Sequence, residues 1–296
     1  MKDFSKYFVY KEDSFVNGLT KELISIYILN YYKKNNKDLL ILCDNLYNAN
    51  SLFKLMSPIN KNVLLFPMDD FVTSIALAAS PDLKIKRLET INELIKKDRD
   101  SKIIITSLMG YLKYLPKPST DFSFVLRKDN KKLTRDSIIK KINEYGYRRE
   151  SIVTTTGEYA LRGFIIDIFP IDTDHPIRIE FFDNEIEEIR LFDENSQLMI
   201  NNVSSIEIKR VDENIDSKQG KYSIFDYMNS KILFMINENQ IQNSYKLLQQ
   251  EITDYNISKN PNNFDYMFAF HEIKPNKTFK INELNLSELI LLNWLA

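Results

Sequence analysis

Apolar and polar positions alternate along this chain in two rhythms. Short apolar runs stand at Leu39–Cys43, Val63–Phe66, Ile103–Thr106 and Phe122–Leu126. Between them the spacing lengthens to that of helices, near 47–56 and over 82–97. In the later stretch Ile85, Leu88, Ile91 and Ile95 share one face, behind Ser80 as N-cap and Pro81 at the first helical position. Nearly continuous apolar strands separated by helices predict a mainly parallel sheet with helices on its faces.

The alternation stops at a different kind of segment and then resumes. Strand-like runs return at Ile206–Val211, Lys231–Ile236 and Tyr266–Phe270, with a helix near 239–251, and these are expected to rejoin the first sheet. The predicted fold class is therefore α/β. Residues 1–126 and 207–296 form one mainly parallel domain, and residues 127–206 form an inserted α+β domain. Polar segments 212–222 and 254–264 read as exposed loops.

Within the insertion the period falls to two. Ile177, Ile179 and Phe181 point one way, and Arg178, Glu180 and Phe182 the other. Such a strand packs on a core with its first face only. An aromatic ring beside a guanidinium on the second face is a pairing enriched at protein interfaces. The plainer reading makes Phe182 a cover for a neighbouring strand and Arg178 a solvated charge. Gly146, Gly157 and Gly163 punctuate these strands as turn and bulge residues. Asp167, between Ile166 and Ile168, reads as a paired structural carboxylate. No His, Cys or Lys stands at useful spacing from Glu158, Asp167 or Glu180 for acid–base or nucleophilic work.

Charge and composition narrow the function classes. Lys and Arg number 40 against 41 Asp and Glu, so no overall basic field draws the chain onto nucleic acid. Residues 127–149 are locally basic, largely on the outer face of a helix starting near Thr134, and a solvated face explains them. Direct DNA binding there is the minority reading and predicts steep salt dependence. The single cysteine, Cys43, excludes a disulfide framework and fits a reducing cytoplasm. The two histidines, His175 and His271, are too scattered for a metal site.

One block is far more specific than these patterns. Gly146-Tyr147-Arg148-Arg149 is followed by Gly157-Glu158-Tyr159-Ala160-Leu161-Arg162-Gly163 and Ile165-Ile166-Asp167-Ile168-Phe169-Pro170. Then come Pro176-Ile177-Arg178-Ile179-Glu180-Phe181-Phe182-Asp183, Ile189-Arg190-Leu191-Phe192-Asp193 and Gln197. This block resembles the UvrA-binding domain shared by UvrB and the transcription-repair coupling factors (the Mfd family). Phe66-Pro67 with Asp69-Asp70, then Ser80-Pro81 and Arg87-Leu88, also looks like the coupling factors. The stretch between is too short for the DNA-clamping hairpin of UvrB. The resemblance implies a degenerate RecA/UvrB-like domain with an inserted UvrA-interaction domain. It further implies a UvrA-binding surface on Arg162, Arg178 and Phe182, with Glu185 as a further candidate.

The residues present do not make a nucleotide site. A phosphate loop needs G-x-x-x-x-G-K-[ST], yet the corresponding stretch holds Gly18, Leu19 and Thr20 with neither the second glycine nor Gly-Lys-Ser/Thr. Asn237-Glu238 follows a strand where a helicase-type motor carries Asp-Glu for magnesium. The expectation is thus a non-catalytic module without a cofactor. The resemblance confines ATP and magnesium to motor domains beyond this chain, and gives RNA polymerase and duplex DNA as partners of downstream domains. The apolar run Leu289–Ala296, with Trp294, is expected to mark where a longer protein continues. The alternative is a diverged UvrB-like, DNA-dependent ATPase or helicase subunit, which submillimolar ATP binding would favour.

Overall fold

A computed structural model describes residues 8–12, 14–70, 80–118, 123–128, 133–183, 185–212, 221–259 and 267–284. The chain divides into two compact units, one of 1–90, 97–118 and 215–296 and one of 91–96 and 119–214.

The first unit is a parallel sheet. Its strands are β1 (Phe15–Leu19), β2 (Leu39–Cys43), β3 (Val63–Phe66), β4 (Ile103–Ser107), β13 (Ile232–Ile236) and β14 (Lys277–Glu283), in the order β1-β14-β13-β2-β4-β3. Every residue of β2, β4 and β13 is buried, as strands covered on both faces must be. Helix α1 (Lys21–Asn35) lays Ile24, Tyr27, Ile28 and Tyr31 on this sheet at helical spacing. The Tyr31 ring meets Phe234 and Phe279 edge-on, with centroids 5.2 and 5.0 Å away. The helix stops at Asn36, whose left-handed backbone (φ 46°) turns its N–H back to the Tyr32 carbonyl.

One buried carboxylate ties the amino ends of the central strands together. Asp38, before β2, accepts from the N–H groups of Lys102 and Asn229 at 2.8 and 2.6 Å, ahead of β4 and β13. Arg99 completes the set with an ion pair at 2.6 Å. Burial by itself would raise this carboxyl's pKa, but the Arg99 guanidinium and the two N–H donors outweigh it and hold it below the usual range.

Helix α2 (Leu46–Met56) covers its predicted stretch, helix α3 (Pro81–Leu94) ends three residues before the predicted end at 97, and the first α3 bond runs from Lys84 N–H to the Ser80 carbonyl. Two strand expectations fail. Met267 to Ala269 leads into a short 3-10 turn at Phe270–Glu272 rather than a strand, and Tyr266 lies outside the described residues, as does Leu289–Ala296. The sheet takes Lys277–Glu283 instead, with Phe279 and Ile281 buried. Its partners β13 and β1 supply the burial that its Lys, Thr and Asn residues conceal in the sequence.

The second correction concerns two runs assigned to the parallel sheet. β5 (Ser123–Arg127) and β12 (Ser205–Lys209) pair with each other, antiparallel, within the second unit. In β5 Phe124 and Leu126 are buried while Val125 and Arg127 are exposed. That one-sided burial suits an antiparallel ribbon and would not suit a strand covered on both faces.

The second unit also holds helix α4 (Arg135–Glu144), capped by Thr134, whose side chain accepts from Ser137 N–H. Its sheet contains β6 (Arg148–Arg149), β7 (Glu158–Arg162), β8 (Ile165–Ile168), β9 (Ile177–Phe182), β10 (Glu185–Phe192) and β11 (Met199–Asn202), in the order β11-β10-β9-β8-β7-β6. All neighbours are antiparallel except β6 and β7. The fold is thus mixed α/β, a large parallel sheet with a separate antiparallel one, as the apolar rhythms predict.

Candidate protein-interaction surface

Strand β9 has the two faces its alternation predicts. Ile177, Ile179 and Phe181 are buried, Arg178 and Glu180 are half-buried, and Phe182 is 76% exposed. Two tight turns close the same end of the sheet. One joins β7 to β8 through Gly163 and Phe164; the other lies between Phe182, which ends β9, and Glu185, which opens β10. Gly163 has φ +57°, a positive φ at the first central position of a two-residue hairpin, where glycine is favoured. Arg162 ends β7, Phe182 ends β9 and Glu185 opens β10 directly opposite Phe182. Three of the four predicted residues therefore gather at one pair of hairpin tips.

The fourth, Arg178, has a different environment. It stands opposite Asp167 in the β8–β9 register and grips that carboxylate with two bonds of 2.7 and 2.8 Å. A third bond, 3.1 Å, goes to the Gln197 side-chain oxygen, and the guanidinium lies 4.5 Å from the centre of the Phe192 ring. Its side chain is only 14% exposed, against 1% for Asp167. The hydrogen bonds to Asp167 raise the Arg178 pKa above its ordinary value. Asp167 is thus the paired structural carboxylate that its flanking isoleucines predict. Arg178 is paired with it, so the plainer reading of Arg178 as a solvated charge does not hold.

Arg162 is exposed and donates weakly to the Ser151 carbonyl at 3.4 Å. It pairs with neither of the nearby carboxylates Glu158 and Glu180. Glu180 is held by Arg190. Glu158 is buried and accepts from Thr154 and Thr155 N–H, each at 2.9 Å, and from Arg148 at 2.7 Å. Burial pushes that carboxyl up, but the two N–H donors and the guanidinium overcome it and bring the pKa down to about 2. Phe164, 66% exposed at the tip beside Gly163, is the surface residue that sequence reasoning passed over. Its signal was a large ring placed directly after a turn glycine.

The carboxyl edge of the parallel sheet is where α/β folds bind ligands, at the point where strand order reverses. Here that point lies between β2 and β13. Gly18 and Leu19 are strand residues of β1 rather than an open loop, with Asn17 opposite Asn282 and Leu19 opposite Glu283 of β14. Thr20 caps α1, its side chain accepting from Leu23 N–H at 3.4 Å. Lys21 reaches Asn48 at 3.2 Å, and Asn48 reaches Asp44 at 2.7 Å. The space left among Lys21, Cys43, Asp44, Asn48 and Asn237 is about 10 Å³, no more than a single water needs. Asn237 stitches β13 to β14: its N–H donates to Ile281 O at 2.8 Å and its side-chain oxygen accepts from Glu283 N–H at 2.7 Å. An open cleft of about 610 Å³ lies alongside, lined by amide side chains such as Asn17, Asn239, Gln240 and Asn282, with Glu283 the one charged residue among the described residues of its lining.

Among the described residues one mixed cluster gathers potential metal donors. His175, Asp193 and Glu194 bring ligand atoms within 4.8 Å of one another. One Asp193 oxygen is already taken by Asn195 N–H, Ser196 N–H and the Ser196 hydroxyl in the β10–β11 turn. No helix among the described residues is long and apolar enough to cross a membrane.

Residues 125–213 match the UvrB interaction domain family. The chain is 27% identical to the transcription-repair-coupling factor of Bacillus subtilis over 83% of its own length and 21% of that protein's. The Staphylococcus epidermidis factor is 29% identical over 86% of this chain and 23% of its own length. For the Staphylococcus aureus USA300 factor the identity is 32%, over 70% of this chain and 18% of the relative. The chain thus spans about a fifth of the length of the curated relatives it matches. The family resemblance read from residues 146–197 is borne out: this chain contains a UvrB interaction domain and is similar, over most of its length, to the amino-terminal module of the transcription-repair-coupling factors.

Proposed function

We propose that this chain is a non-catalytic adaptor whose second unit binds UvrA. The observation that carries the reading is a coincidence of boundaries. The UvrB interaction domain match, 125–213, falls on the compact unit 119–214, and that unit exposes Arg162, Phe182 and Glu185 at one end of its sheet. A large ring beside a guanidinium has the composition of an interface hot spot. By offering UvrA the surface that UvrB otherwise offers, the module recruits excision repair to a stalled RNA polymerase. Contacts with RNA polymerase and duplex DNA, and the use of ATP with magnesium, belong in this reading to other parts of the coupling factors. The filled crevice at the carboxyl edge of the parallel sheet supports a scaffolding role for the first unit.

Competition tests the proposal. Purified UvrA should bind the chain saturably without added nucleotide, and UvrB should displace it, because the two proteins use the same domain. Simultaneous binding of both to one UvrA site, or no binding at all, would overturn the reading.

A further inference from the structure

We infer that the UvrA-binding face runs on from Arg178 across Phe192 to the edge of the antiparallel sheet, where Met199 is a further contact residue. The inference rests on the UvrA reading and deepens it. Strand register places these residues on one face. Asn202, Arg190, Arg178 and Asp167 stand opposite one another in a row across β11, β10, β9 and β8. Met199 is opposite Phe192, which follows Arg190 by two positions in β10 and so shares its face. The Arg178 guanidinium lies 4.5 Å from the centre of that Phe192 ring. The face that carries Arg178 therefore carries Met199, with one buried ring between them. Phe182 belongs to it by the alternation of β9.

The turn that leads into β11 is tied to Arg178 directly. Gln197 accepts from the guanidinium at 3.1 Å, and its side-chain N–H donates to the Glu194 carbonyl at 2.9 Å. Asp193 N–H closes the turn on the Leu198 carbonyl at 2.9 Å. Backbone held in this way loses little entropy when a partner docks.

β11 is the outermost strand of the sheet, and all its residues are exposed. Leu198, Met199 and Ile200 are 69%, 57% and 46% exposed, apolar residues in direct succession. Edge strands that must stay free of partners carry lysine, proline or an inward charge, and Leu198–Asn202 has none of these. Methionine is enriched at interfaces, and its unbranched thioether adapts to a partner's shape. By strand rise and spacing Met199 stands about 20 Å from Phe182. That lies inside a patch about 30 Å across, the extent of a standard interface of about 800 Å² per partner. The occupant that fits is the UvrA surface engaged at Arg178 and Phe182, with an apolar contact at this end.

The test measures UvrA affinity for the whole chain carrying Met199→Lys, Met199→Ala or Asn201→Lys, with thermal unfolding and sedimentation recorded for each. Asn201 is the control: it is exposed on the same strand but stands opposite Leu191, on the other face. Met199→Lys should bind about thirtyfold more weakly and Met199→Ala about fivefold. Asn201→Lys should stay within about threefold of the parent. Unfolding temperatures should match the parent's, since the replaced side chains are exposed; if the lysine at 199 lowers its own, the alanine variant decides by the same fivefold criterion. Equal losses for Met199→Lys and Asn201→Lys, or none for either Met199 variant, would overturn the inference and leave the UvrA reading standing. Self-association of the parent that Met199→Lys abolishes, with UvrA affinity unchanged, would overturn it in favour of a second copy at the edge. If the unmodified chain does not bind UvrA, that reading fails and takes this inference with it.

Discussion

The carboxyl edge of the parallel sheet and the hairpin tips of the antiparallel sheet use their side chains in opposite ways. At the edge, Thr20 caps its own helix, Lys21 and Asp44 both reach Asn48, and Asn237 joins two strands. At the tips, Phe164 and Phe182 face solvent with Arg162 and Glu185 beside them. Bonds already made inside a fold are not available to a ligand without first being broken, and breaking them costs desolvation and strain. The comparison therefore separates a region whose side chains are bonded into the fold from one whose side chains are presented to solvent.

The largest effect that sharpens this contrast lies just below the tips. Arg178→Ala should cost about 3–5 kcal/mol of stability, because it strands the buried Asp167 carboxylate without its partner. Chemical denaturation measures this. An Arg178→Ala variant as stable as the parent would show that the pair does not hold the fold.

Next in size is an acid effect at Glu158. Its folded pKa of about 2 lies below the unfolded value of 4.5, so its contribution is fully present above pH 4.5 and is lost as the pH falls through 2. The shift corresponds to about 3 kcal/mol. Replacing Glu158 by Gln should lower stability at neutral pH and flatten the decline of stability between pH 4.5 and 2. An unchanged acid profile would mean that other carboxylates govern it.

Phe182→Ala should weaken UvrA binding by about 2 kcal/mol or more and change stability by no more than about 0.5 kcal/mol. Large losses of both would make Phe182 part of the core after all. The smallest expected effect is zero: millimolar ATP with magnesium should leave the unfolding temperature where it is. A ligand bound well below its concentration stabilises the folded state by mass action, so a rise of several degrees would favour the diverged-ATPase alternative.

The contrast was only partly legible in the sequence. Ile177 to Phe182 announced both faces of β9, because strict alternation survives whatever the strand pairs with. In the sequence Arg178 reads as an interface guanidinium or a solvated charge, because its partner, Asp167, is found only through the β8–β9 register. Phe164 escaped notice for a similar reason. The letter of a ring does not say whether its turn points it to core or solvent. β14 was missed because Lys, Thr, Asn and Glu interleave Phe279 and Ile281, while the pairing of β5 with β12 depends on residues some eighty positions away. Gly18-Leu19-Thr20 was not legible as the end of a strand and a helix cap, because that depends on β14 and on the start of α1.

The most direct test of the account is amide hydrogen exchange on the whole chain with and without saturating UvrA. Protection is expected at 160–166 and 178–187, covering both tips, with 17–22 and 237–241 unchanged. Protection at the carboxyl edge of the parallel sheet, with the tips exchanging as freely as before, would contradict it.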